Sequence, residues 1–187
     1  MGVVFLPGGA RAFFQLPADA FHNEIIALDA VWGSQAAQLG QRLDEERTVA
    51  RKFRVLEAAL LEIARAGGDR LALHPSVQHG LREVRRVPHS RTVIELSRDT
   101  GLSRRRFGQL FREQIGMTPK MYCRLIRFRQ VVRQILDGGP VNWAEVSVAG
   151  GYYDQAHLIH EFRDFSGMSP GDYLAAERPH LNHVRIG

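Results

Sequence analysis

Few side chains in this sequence have obvious chemistry to offer. They are two histidine pairs three apart (His157 with His160, His180 with His183), the single cysteine Cys123, the acidic run Asp44, Glu45 and Glu46, and the arginine run Arg104, Arg105 and Arg106. Zinc needs three or four ligands, neither histidine pair brings a third, and "HLIHEF" lacks the spacing of a zinc-protease helix, so no metal is expected. A nucleophilic cysteine needs a base or cation to activate it. Cys123 sits in "YCRLIRF" with no histidine or metal motif beside it, which reads as a core or surface thiol. "LPGGA" has glycines but no lysine and no G-x-G-x-x-G pattern, so it reads as a turn. The carboxylates at 44–46 fit the solvated first turn of a helix. No cofactor and no catalysis are expected. The arginines remain, and a guanidinium offers a planar fork that matches phosphate oxygens and the edge of guanine.

Their distribution is informative. The chain has 187 residues and a net charge of +5, and 23 of its 25 cations are arginine. Residues 1–84 hold 9 basic and 10 acidic groups, residues 85–136 hold 13 and 3, and residues 137–187 hold 3 and 7. The positive charge is focused on one central segment, as expected of a polyanion-binding surface. A hydrophobic fraction of 44% supports a packed core. No apolar run approaches the roughly 20 residues of a membrane span, and the N-terminus lacks the pattern of a secretory signal. One cysteine excludes a disulfide framework and suits a reducing cytoplasm.

The elements that position the arginines are predicted as follows. "GVVFLPGGARAFFQLP" reads as a short β-hairpin about Pro-Gly-Gly. The stretch from Ala18 has Ile25, Leu28, Val31, Trp32 and Leu39 at helical spacing, with Gly33 as a point of breakage. Val49, Phe53, Leu56, Leu60 and Ile63 make the most regular helical stripe, expected to pack on its own neighbours rather than form a dimer seam, and to end near Gly67. From about residue 75 onward the pattern is helices joined by tight turns.

Within that region the chain repeats itself. "FREQIGMTP" from Phe111 and "FRDFSGMSP" from Phe162 start 51 residues apart. Upstream of each lies a short helix, then a small residue four before a glycine (Ser97 and Gly101, Ser147 and Gly151), then a second helix. That is helix-turn-helix grammar: the small residue permits close crossing and the glycine takes the positive-φ turn. Ser103 and Asp154 stand where caps belong. Phe107, Leu110 and Phe111 are expected to face inward in the first copy, and Leu158 and Phe162 in the second. Gly101 to Phe111 is one residue shorter than Gly151 to Phe162.

From Arg91 to Leu174 the sequence resembles the C-terminal DNA-binding domain of the AraC/XylS family of transcription regulators. The resemblance rests on "GLS" followed by "F..LF", on "G.TP..Y....R", on the linker "YCRLIRFRQVVRQIL", and on "GYYDQAHLIHEFR" with "G.SP..Y". It implies a mainly α fold: seven helices in a double helix-turn-helix domain over 70–178, with a first unit at 92–115, a linker helix at 119–137 and a second unit at 142–166. It further implies that one monomer sets two recognition helices in successive major-groove segments, about 34 Å apart. Residues 1–66 resemble the tail of a cupin-like sensor with connecting helices. A full barrel needs more strands than this chain supplies, so the expectation is an incomplete chain whose effector binds outside it.

The expected partner is double-stranded DNA. Arg104, Arg105 and Gln109 are the candidate base readers of the first unit, and Gln155, Ile159 and His160 those of the second, with Ile159 exposed against a thymine methyl. Arg91, Arg106, Arg112, Arg127 and Arg163 are the candidate phosphate contacts. Family members often carry arginine where Gln109 and His160 stand, and the second unit is acidic, so the first is expected to dominate affinity. Contact with RNA polymerase, as an activator, follows from the resemblance alone, and a homodimer stays open. Two rival readings stand beside this one: a dimerisation or interaction module with degenerate DNA units, and a DNA-alkylation repair methyltransferase using Cys123.

Overall fold

The computed structural model describes residues 2–14, 16–68, 72–87, 89, 91–137 and 139–176. His180 and His183 lie outside them, as does the residue 70 at which the DNA-binding region was expected to begin. The helices are α1 (Leu28–Trp32), α2 (Ser34–Glu45), α3 (Val49–Ala66), α4 (Pro75–Arg86), α5 (Val93–Asp99), α6 (Arg104–Ile115), α7 (Pro119–Leu136), α8 (Trp143–Ala149), α9 (Gln155–Ser166) and α10 (Pro170–Ala175). The chain divides into two compact units. One comprises Met1–Val77 with Arg106–Thr118, the other Gln78–Arg105 with Pro119–Gly187.

In the first unit the N-terminal stretch departs from expectation. There is no strand among the described residues, and 3-10 turns at Gly9–Ala12 and Ala18–Phe21 replace the hairpin. The reason lies in the aromatic residues. Phe5 stacks on Phe13 with ring centroids 4.8 Å apart, Phe14 meets Phe21 at 5.1 Å and Trp32 at 6.0 Å. The Trp32 indole donates to the Phe13 carbonyl at 2.8 Å. A hairpin would put Phe13 and Phe14 on opposite faces, whereas the turn lets both join one cluster. Gly8 makes this possible with φ 85°.

The predicted helix from Ala18 is broken into α1 and α2, and Gly33 is the breaking point, at φ 57°. Ile25 lies before α1, fully exposed, and takes no part in the stripe. Helix α3 begins at Thr48, whose hydroxyl accepts from the Arg51 amide, and stops at Gly67 as expected. Its stripe behaves differently from prediction. Ala59 and Ala64 are the buried positions, while Val49 is 69% and Phe53 50% exposed. Helix α3 packs against α2, and these two residues stay uncovered.

The second unit holds one well-defined core. Phe128, Val131 and Ile135 from α7, Val146 from α8, Tyr152 from the turn, Leu158 and Phe162 from α9 and Tyr173 from α10 are all buried together. Phe162 packs edge-on against both Phe128, at 4.9 Å, and Tyr173, at 5.3 Å. Helix α9 is thus held by α7, α8 and α10. Helix α7 lies within residues 119–137, α5 and α6 within 92–115, and α8 and α9 within 142–166.

Candidate nucleic-acid interface

The turns of the two repeats are built the same way. Ser97 and Ser147 are buried, and each hydroxyl donates back to a carbonyl of its own helix, Ser97 to Ile94 at 2.8 Å and Ser147 to Trp143 at 2.7 Å. That bond satisfies the hydroxyl in the crowded turn. The Gly101 amide donates to the Arg98 carbonyl and Gly151 to Val148, both at 3.0 Å. Leu102 and Tyr152 then donate to the carbonyls of Ser97 and Ser147. Gly101 and Gly151 both have φ 69°, a left-handed value that a side chain resists.

The capping of the helices around the two turns follows from sequence. Asp154 accepts from the His157 amide at 2.7 Å and starts α9. Ser103 immediately precedes α6. Helix α5 opens with a complete capping box, in which Thr92 accepts from the Glu95 amide and Glu95 accepts from the Thr92 amide at 2.6 Å. Those hydrogen bonds hold the Glu95 carboxyl below its ordinary value of 4.5.

Helix α6 buries Phe107, Leu110, Phe111 and Gln114, and the Gln114 side chain accepts from the His74 amide at 2.9 Å. The opposite face exposes Arg104, Arg105, Arg106, Gln109 and Arg112. Gln109 reaches along the helix to Glu113 at 2.7 Å. Helix α9 buries Leu158, Glu161, Phe162 and Ser166 and exposes Gln155, Ala156, His160 and Arg163. Ile159 is half-buried, not exposed as the sequence suggested. His160 stands out in solvent at 80% exposure, 4.0 Å from Asp164.

Two candidate phosphate contacts are ion-paired within the chain. Arg91 is held by Asp99 at 2.6 Å and Glu83 at 3.7 Å. His79 joins the same carboxylate at 3.1 Å, and its hydrogen bond with Arg91's charge keeps Asp99 below the usual carboxylate range. Arg127 is 18% exposed, donates to both oxygens of Glu161 and lies over the Tyr152 ring at 5.2 Å. Both guanidiniums already have carboxylate partners within the folded chain. Sequence counting registers a cation, but not the acid that folding brings to it.

Glu161 itself escaped the sequence reading. It lies 4% exposed between Leu158 and Phe162 on the inner face of α9, and takes Arg124 of α7 at 3.1 Å besides Arg127. Arg124 also reaches Asp164 at 2.5 Å. The signal was present: an acid on an inward stripe opposite Arg124 and Arg127, three apart on the next helix. Burial and the Glu161 charge push the Tyr152 phenol far above its ordinary value, so it stays protonated.

Cys123 is half-buried, and burial pushes its thiol up despite the nearby Arg127 charge. That is the reverse of what an activated nucleophile needs. No group of three potential ligands is assembled among the described residues, and His157 instead faces Glu161 at 3.8 Å. None of the described helices is long and apolar enough to cross a membrane.

Residues 96–176 match the family model described as a helix-turn-helix domain. The match starts within α5 and runs through α10, so it takes in both turns and overlaps all but the first five residues of the region of the AraC/XylS resemblance. No curated protein matches the chain. Among solved structures, the chain is similar to a DNA-binding transcriptional dual regulator from Escherichia coli K-12, with 18% identity, a TM-score of 0.46, and coverage of 54% of this chain and 95% of that one.

Proposed function

We propose that this chain is a DNA-binding transcription regulator that reads a promoter with two recognition helices, α6 through Arg104, Arg105 and Gln109, and α9 through Gln155, Ile159 and His160. The observation that carries the reading is the duplicated turn. Ser97–Gly101 and Ser147–Gly151 share backbone bonds and φ values, and each is followed by a helix with one buried apolar face and one exposed polar face. Arg106, Arg112 and Arg163 then grip phosphates. The exposed arginine-rich face of α6 makes it the stronger binder, because phosphate neutralisation dominates affinity. Arginine pairs bidentately with guanine and glutamine with adenine, which gives α6 a defined preference. Ile159 offers only part of its surface, so its methyl contact with thymine is limited to one edge.

Contact with RNA polymerase, activation and an effector bound outside this chain are proposed on the resemblance alone, and a cytoplasmic setting on the single cysteine. One observation favours a second role for the N-terminal region, namely self-association: Val49 and Phe53 present an uncovered apolar edge on α3. The primary test is selection of bound sequences from a random duplex library at about 150 mM salt, where non-specific binding is weak. Two enriched boxes about one helical turn apart are expected. A single box leaves α9 without a reading role, and no enrichment refutes the proposal in favour of an interaction module.

A further inference from the structure

The repeat sets Phe162 in register with Phe111, and therefore Glu161 in register with Leu110. Both positions are buried, at 4% and 5% exposure. The same slot on the inner face of a recognition helix is filled by a leucine in one unit and a carboxylate in the other. Apolar packing is non-directional and tolerates small rotations of a helix. Charge-assisted hydrogen bonds have a fixed geometry.

We propose that Glu161 is a positioning residue that sets the rotation of α9 about its own axis and thereby the bases the second unit reads. The claim rests on the proposed DNA-reading function and extends it to residues that touch no base. The geometry is a clamp. Arg127 Nη2 donates to Oε1 at 3.0 Å and Oε2 at 2.9 Å, and Arg124 Nε donates to Oε2 at 3.1 Å. Both arginines come from α7, so the clamp ties two helices. The guanidiniums are in turn seated on aromatic rings, Arg127 over Tyr152 and Arg124 over Phe165 at 5.3 Å. Arg124 holds a second point on α9 through Asp164, one turn nearly along from Glu161. His160, flanking Glu161 on the exposed face, and Ile159 must turn with the helix that carries them. A rotation that breaks the clamp carries both off their bases.

The test is the double replacement Glu161→Leu with Arg127→Leu, which puts the first unit's residue into the slot and leaves no unpaired buried charge behind. Replacing a buried ion pair by apolar residues of similar volume commonly preserves folding. Discrimination between matched and mismatched duplexes is measured separately for each box, alongside melting temperature and residual dipolar couplings of the α9 amides relative to α7. The expected result is an unchanged first-box preference, a melting temperature close to wild type, and a second-box preference reduced about tenfold with altered α9 couplings. If preference and couplings both stay at wild-type values, the proposal is overturned, and the clamp serves stability alone. If wild type shows no second-box preference while the couplings still change, the DNA-reading role of α9 fails and the positioning claim stands. Should the double replacement not fold, Glu161→Gln keeps the shape and removes the charge. A partial loss of second-box preference or a shift in couplings is then expected, and neither changing overturns the proposal.

Discussion

The salt dependence of DNA binding separates arginines that meet phosphate from arginines that the fold has already used. For B-DNA the logarithm of affinity falls with that of salt with a slope of about −0.9 for each phosphate neutralised. Five contacts, as counted from sequence, give a slope of about −4.5 and an affinity loss of about 500-fold between 50 and 200 mM. Removing Arg91 and Arg127, paired with Asp99, Glu83 and Glu161, leaves three. Three contacts give about −2.7 and a loss of about 40-fold. The decisive perturbations are Arg112→Gln and Arg91→Gln, each followed by fluorescence anisotropy on a labelled duplex across that salt range. Arg112 is exposed on the outer face of α6, so on the proposed reading its loss should flatten the slope by about 0.9. Arg91→Gln should leave the slope unchanged and lower melting temperature instead, since it strips Asp99 of a partner. If Arg91→Gln flattens the slope as much as Arg112→Gln does, the ion pairs open on DNA and the reasoning from the free chain is refuted.

The two turn glycines give a matched comparison. A Cβ on Gly101 meets no atom, so Gly101→Ala should cost only left-handed strain, about 1 kcal/mol in chemical denaturation. At Gly151 the same Cβ would overlap the His89 side chain, so Gly151→Ala should cost more, and equal costs would show that His89 moves aside freely. Glu95 predicts an acid response. Its folded value is depressed, so its contribution is fully present above its ordinary 4.5 and is lost as pH falls through the folded value. Melting temperature measured from pH 6 to 3 should therefore fall less steeply for Glu95→Gln than for wild type; parallel curves would remove the capping box from the account.

The DNA-binding half was legible because its signals are local. A small residue four before a glycine, a capping acid and a periodic stripe act within a few residues, and Ser97, Gly101, Ser147, Gly151 and Asp154 all sit as read. The N-terminal half was not, because its structure is decided by distant partners. "LPGGARAFF" carries a valid turn signal, but Phe13 and Phe14 are drawn into a cluster with Phe5, Phe21 and Trp32 that no two-residue alternation announces. The same limit governs the site. Arginine count points to α6, but the ion pairs of Arg91 with Asp99 and of Arg127 with Glu161 form only on folding and leave no local signal in the sequence.

The duplicated turn is held by backbone bonds and by one buried serine in each copy, while Gln155, Ala156 and His160 stand outside that framework. Mutation at these three positions therefore costs the fold little, and on the proposed reading its penalty falls on DNA recognition alone. If the two units read DNA as proposed, a lineage carrying this scaffold can drift to new operators by exchanging a handful of surface residues in one unit, while the other keeps hold of the old site.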